Sequence, residues 1–257
     1  MREPAFIDEG QGPAILFLHG IGGNADNWKL QIDALKDRYR CIAWNMPGYG
    51  GNPGKGQMSF DGMADALAGL LDKLGLEKAV ICGLSMGGYL AQEFVARHPE
   101  RVRGLILTCT SAAFGKPGGD FQTKFLTARL KPLDEGKTPA DIAPELAAGM
   151  KGPEAGPEVE TALIELMKRI PVDTYRAALN CLVTFDRREA VKDIGCPALL
   201  IAGENDTTAP AAVMERMAAR IQGARFHVIP GAGHIANLEA PAETTRLIAG
   251  FMEELDA

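Results

Sequence analysis

The chain predicts an α/β architecture: a mostly parallel central sheet flanked by helices, interrupted once by a helical insertion. Three observations carry that reading. Short continuous apolar runs alternate with helical stretches at both ends of the 257 residues, the pattern of strands buried on both faces by crossover helices. From about Phe114 to Arg188 the alternation stops and no strand candidate occurs. Finally, Gly83-Leu84-Ser85-Met86-Gly87 lies between an apolar run and a helical one, so a G-x-S-x-G sits on a strand-to-helix turn.

The elements follow in order. Ala14 to Leu18 reads as a buried strand ending at His19-Gly20, and Trp28 to Leu35 begins a helix. Tyr39 to Trp44 is a strand ending at Asn45-Met46-Pro47-Gly48-Tyr49-Gly50. Ser59 and Asp61 can cap a helix running to Leu74, because their side-chain oxygens accept from unpaired first-turn N–H groups. Lys78 to Cys82 is the strand before the serine turn, Gly88 to Arg97 the helix after it, and Gly104 to Thr108 the next strand. Gly115 to Gly119 opens the insertion. Its helical stretches are expected at about Phe121–Leu130, Pro139–Met150, Pro157–Ile170 and Val172–Phe185, separated by Pro132, Gly136, the run 152–157 and Pro171. The alternation then resumes. Pro197 to Ala202 is a strand ending at Gly203-Glu204-Asn205-Asp206, Ala211 to Ile221 a helix, Arg225 to Ile229 a strand ending at Pro230-Gly231-Ala232-Gly233-His234, and Pro241 to Leu255 the last helix. The resulting division is 1–113 with 189–257 as the α/β core, and 114–188 as a helical cap.

Composition narrows the function classes. Hydrophobic residues make up 46% and charged residues 23%, as in a soluble globular protein. The net charge of −6 comes with no basic cluster, which argues against nucleic acid as a partner. No apolar stretch reaches the roughly 18 residues of a membrane span. The N-terminal Met1 to Phe6 carries no apolar leader, so the expected location is the cytoplasm. The five cysteines (Cys41, Cys82, Cys109, Cys181 and Cys196) lack C-x-x-C spacing and are expected to be buried free thiols; neither a metal nor another cofactor is implied.

Ligand sites in open parallel sheets lie beyond the carboxyl ends of the strands. His19-Gly20, Ser85, Asp206 and His234 all fall at such ends. A serine hydroxyl is a poor nucleophile at neutral pH and needs a base, which an imidazole supplies. The imidazole in turn needs a carboxylate to hold its tautomer. Ser85, His234 and Asp206 fit those three needs, with Glu204 and Glu239 as rival carboxylates and an Asx-turn cap as the alternative use of Asp206. His227 lies inside a strand and His98 at a helix end, and neither takes a chemical role. Trp28 is the candidate substrate-binding residue, with lining and packing equally open for it and for Tyr49.

The stretches His19 to Gly23, Pro47 to Gly50, Gly83 to Gly88, Gly203 to Asp206 and Gly233-His234 together resemble the α/β-hydrolases over essentially the whole chain. The resemblance implies the α/β-hydrolase fold with an inserted lid, and the chain order Ser85, Asp206, His234 of its catalytic triad. It also implies an oxyanion hole from the backbone N–H groups of Met86 and Ile21, with Gly22 as the alternative to Ile21. One such donor is typically worth about 3 kcal/mol of transition-state stabilisation. His19 is then expected to support that loop. The stretches 203–210 and 231–241, with the helical insert, are similar to the 3-oxoadipate enol-lactonase and meta-cleavage product hydrolase group. That likeness implies hydrolysis of a small carboxylic ester or lactone through an acyl-serine. Alternatives are C–C bond hydrolysis, a cofactor-free haloperoxidase or perhydrolase activity, and a small-molecule receptor built on the same fold. An anionic lactone would need a cationic anchor, for which Arg129, Arg169 and Arg176 are candidates, with a solvated surface charge as the alternative use of each. The partner is a small molecule; monomer and homodimer stay open.

Overall fold

The apolar runs assemble into one sheet. The computed structural model describes residues 5–54, 57–116 and 118–256, so Met1 to Pro4 and Pro117 of the insertion's opening segment lie outside the described residues. The strands are β1 (Phe6–Glu9), β2 (Ala14–Leu18), β3 (Arg40–Trp44), β4 (Ala79–Leu84), β5 (Val102–Thr108), β6 (Ala198–Gly203) and β7 (Arg225–Ile229), in the spatial order β1-β3-β2-β4-β5-β6-β7. All neighbours are parallel except β1 and β3, which pair antiparallel from Phe6 opposite Trp44 to Glu9 opposite Cys41. β1 is not anticipated from the sequence. It is only four residues long, and two of them are acidic, a composition that suits an edge strand better than a buried one. Arg40 holds its Asp8 with two hydrogen bonds of 3.0 and 2.7 Å.

The helices are α1 (Lys29–Leu35), α2 (Phe60–Lys73), α3 (Met86–Arg97), α4 (Asp120–Asp134), α5 (Pro139–Met150), α6 (Pro157–Met167), α7 (Val172–Leu182), α8 (Ala211–Ala218), the short α9 (Ala236–Glu239) and α10 (Pro241–Asp256). Ser59 caps α2, its Oγ accepting from Gly62 N–H at 3.3 Å. α4 runs through Pro132 instead of stopping at Leu130. The proline removes a bond to a carbonyl one turn earlier, but its own carbonyl still accepts from Lys137 at 2.9 Å, and Gly136 at φ 90° closes the turn.

Strand periodicity divides the core between the two sheet faces. Ile15 and Phe17 pack with Trp28, Ile248 and Phe251 on the face covered by α1 and α10. Leu16 and Leu18 pack with Met63, Leu67, Leu90 and Phe94 on the face covered by α2 and α3. Each fully enclosed side chain of this size contributes about 2 kcal/mol. The consequence for function is alignment: register pairs such as Leu18 with Gly83, Leu84 with Thr108 and Gly203 with Ile229 bring the carboxyl ends of β2, β4, β5, β6 and β7 to one edge.

Helices α4 to α7 lie between β5 and β6 and pack over that edge. Their stalk is closed by Phe114 N–H to Phe185 O at 3.0 Å and Arg187 N–H to Ala112 O at 2.7 Å. The Arg187 guanidinium grips the buried Glu93 of α3 through both carboxylate oxygens, at 2.8 and 2.5 Å.

Candidate active site

Ser85 is the single residue between β4 and α3, held at φ 53°, ψ −116°. A β-carbon residue at positive φ is strained, and here the surroundings enforce it. Ser85 N–H donates to Thr108 O at 2.9 Å, while its carbonyl accepts from the Thr110 hydroxyl at 2.9 Å and from Gly88 and Tyr89 N–H. The flanking glycines are steric necessities: a Cβ on Gly83 would strike the Gly87 carbonyl, and one on Gly87 the Leu18 and His19 carbonyls.

His234 reaches Ser85 from the loop after β7. Its Nε2 lies 3.0 Å from Ser85 Oγ and its Nδ1 2.8 Å from Asp206 Oδ2. An ionised carboxylate only accepts, so Nδ1 carries the proton and Nε2 is left to accept from the serine hydroxyl. Asp206 makes contacts of both kinds read from the sequence. Its Oδ1 accepts from Thr208 and Ala209 N–H, each at 2.8 Å, closing the turn after β6, while Oδ2 faces the imidazole. Burial pushes this carboxyl up, but the His234 hydrogen bond and charge and the Ala209 and Thr208 amides outweigh it, leaving it below its ordinary value.

The rival carboxylates are engaged elsewhere. Glu204 accepts from Gly231 N–H at 2.9 Å. Glu239 accepts from Gly152, Gly233 and Ile235 N–H at 2.7, 2.9 and 3.1 Å. It therefore ties the His234 loop to the insertion, a role that nothing in its own sequence context signals. His234 N–H itself donates to Met150 O of α5 at 2.8 Å.

The loop after β2 passes beside Ser85, so close that a Cβ on Gly20 would lie 3.4 Å from Ser85 Cβ. Among the described residues, the N–H groups of Ile21 and Met86 donate to no other group. His19 lies beneath this loop. Its Nδ1 donates to Gly20 O at 2.7 Å and its Nε2 accepts from Met46 N–H at 3.1 Å, with the Tyr49 ring edge-on at 4.7 Å. Full burial lowers its pKa from 6.5 to about 4 despite the Gly20 bond, so it is a neutral strut. Tyr49 packs under the loop and donates to Ile21 O at 2.9 Å.

Comparison with known proteins agrees with this architecture. The family described as alpha/beta hydrolase fold matches residues 13–241. The chain belongs to that family. It is 27% identical over 256 residues to 3-oxoadipate enol-lactonase 2 of Acinetobacter baylyi, covering 98% of this chain and 93% of that one. It is 29% identical to a pimeloyl-[acyl-carrier protein] methyl ester esterase of Yersinia enterocolitica, covering 93% of each. Among solved structures, a thermophilic esterase from Thermogutta terrifontis with malate bound is 32% identical, with a TM-score of 0.90 over 98% of this chain and 94% of that one.

In this α/β-hydrolase, Ser85 and His234 open onto a cavity of about 70 Å³ beneath the inserted helices. The helical spacing of the insertion predicts inward faces that carry Phe121, Phe125, Leu146, Met150, Leu163, Leu166, Met167, Leu179 and Leu182, and of these Phe125, Leu146, Met150, Met167, Leu179 and Leu182 line the cavity. Phe121 does not; it is 60% exposed. Leu163 and Leu166 are buried but do not line it. Trp28 also requires correction. It is fully buried against Phe17, ring centroids 4.9 Å apart, on the α1–α10 face of the sheet, and does not line the cavity. A residue missed from the sequence is Cys109, which lines the cavity at φ 45° just beyond β5. Its place past a strand end is the signal that could have found it. Burial pushes its thiol far up, so it is no thiolate nucleophile. No helix among the described residues is long and apolar enough to cross a membrane.

Proposed function

We propose that the chain is a serine hydrolase of small carboxylic esters or lactones, working through an acyl-serine intermediate. The observation that carries the reading is the unbroken line from Asp206 Oδ2 through His234 to Ser85 Oγ, at 2.8 and 3.0 Å. In acylation, Ser85 Oγ attacks the carbonyl carbon as its proton passes to His234 Nε2. The oxyanion takes the unengaged N–H groups of Ile21 and Met86, and Asp206 stabilises the imidazolium without taking its proton. The C–O bond then breaks, and His234 returns the proton to the departing alkoxide. Water repeats the sequence: His234 removes its proton, the hydroxide adds to the acyl carbon, and Ser85 Oγ leaves reprotonated, releasing the acid.

Segment 114–188 is the lid in this scheme. Ordinary ligand pockets run to about 300–1,000 Å³, so the space of about 70 Å³ beside Ser85 fits lid helices that shift to admit a sizeable substrate. Esterase and lactonase relatives that span nearly the whole chain support ester or lactone over C–C bonds as the target.

The test is hydrolysis of p-nitrophenyl esters of increasing acyl length, wild type beside Ser85→Ala. Many turnovers per enzyme, reduced about 10,000-fold or more by the substitution, are expected. A single stoichiometric burst would instead mark a receptor that acylates once.

A further inference from the structure

The lid side of the cavity at Ser85 is apolar except for the Arg129 guanidinium and the Tyr175 phenol. Arg129 of α4 is the one lysine or arginine lining it among the described residues. The two other arginines considered from the sequence do not line the cavity and are paired, Arg169 with Asp26 at 2.8 Å and Arg176 with Asp134 at 2.7 Å. Arg129 has no carboxylate partner among the described residues. It is half-buried, lies 5.6 Å from the centroid of the Phe125 ring, and faces the buried Tyr175, whose phenol burial pushes up while the guanidinium pulls it back. A planar fork held against an aromatic face beside a hydroxyl is poised for two-point recognition of a carboxylate. A cation left unpaired in apolar surroundings is also the group whose burial a bound anion offsets best.

We propose that Arg129, with Tyr175 beside it, anchors a carboxylate on the acyl part of the substrate, so that this site selects anionic esters or lactones. The inference rests on the hydrolase reading and names its substrate class. The acyl part is specified because in an ester it alone stays attached through both acylation and hydrolysis, while a lactone stays attached whole, so an anchor there positions the carbonyl carbon in each step.

Two esters of matched shape test it: methyl hydrogen glutarate, and methyl 5-methylhexanoate, in which an isopropyl group replaces the carboxylate. Ser85→Ala protein titrated calorimetrically should bind the glutarate ester, and adding Arg129→Gln should weaken that binding about 10- to 100-fold, with Arg129→Lys losing less. In Ser85 enzyme, Arg129→Gln should lower the ratio of kcat/KM for glutarate over hexanoate by a similar factor. An unchanged ratio, an equal loss on both esters, or no binding of the glutarate ester overturns the anchor. Arg129-dependent binding of the anion without turnover of either ester would keep the anchor and sink the hydrolase reading. Turnover of both at a ratio indifferent to Arg129 would do the reverse.

Discussion

In β2, β4 and β6 every residue is shut away from solvent, whereas α4 of the insertion buries only Gln122 and Leu133. The two regions hold their residues by different means. The sheet places Ser85 and Asp206 at the ends of strands enclosed on both faces, and His234 just beyond β7, the edge strand that leaves His227 and Val228 exposed. The insertion shares an apolar seam with the α2–α3 side of the sheet, where Phe185 stacks on Tyr89 at 4.4 Å, and adds polar ties to it: Thr174 Oγ1 to Gly48 O at 2.9 Å, Arg169 to Asp26, Arg187 to Glu93, and Met150 O to His234 N–H. Such ties contribute about 1 kcal/mol each and can be remade, so the proposed function puts its chemistry on the rigid region and its substrate selection on the adjustable one.

The largest expected effect lies on the rigid side. Asp206→Asn keeps an acceptor for the turn amides but can present an NH2 group to His234, favouring the tautomer with its proton on the nitrogen facing Ser85. It should lower kcat about 10,000-fold while the Tm moves little. If activity survives, the sheet does not supply the acid, and Glu239 on the insertion seam becomes the candidate.

A second prediction concerns stability, where the enclosed region should respond to acid. His19 is fully buried, and its pKa drops from 6.5 unfolded to about 4 folded. Between those values the unfolded chain binds a proton that the folded one refuses, so stability falls as pH drops from 6.5 toward 4 and levels off below. The total is about 3 kcal/mol, or about 1.4 kcal/mol per pH unit inside the window. Denaturant titrations from pH 7 to 4.5 should show that slope in wild type and its loss in His19→Gln. Equal slopes would mean that water reaches the ring.

The same contrast governs what is legible in the sequence. The serine turn reads correctly because glycines are required there by backbone collisions, and collisions leave a residue-type signature. Strand ends read correctly because apolar runs buried on both faces stop where the edge begins. Trp28 does not: an aromatic at a helix start near a site loop looks the same whether it faces the cavity or, as here, Phe17. Phe121 fails for the related reason that a loosely packed helix need not turn every apolar residue inward. Arg129 is readable as a cation, but its lack of a carboxylate partner depends on where α4 and α7 come together. Glu239 is harder still, because its three partners are backbone N–H groups, which have no sequence identity.

Glu239 also gives the smallest effect and the one that probes the join between the two regions. Its carboxylate accepts from Gly152 on the insertion and from Gly233 and Ile235 around His234. In Glu239→Gln an NH2 replaces one oxygen, so at least one of those N–H groups loses its acceptor, at a cost of about 1–3 kcal/mol. The Tm should fall by about 2–4 °C for each of those kcal/mol. Ser85 and Asp206 are untouched, so kcat should drop only about 10-fold, through looser placement of the imidazole. An ester too large for the closed cavity should lose less than a small one, since the insertion would open more readily. Were Tm and kcat both unchanged, the His234 loop would be held by the sheet alone, and the insertion would cover the site without helping to build it.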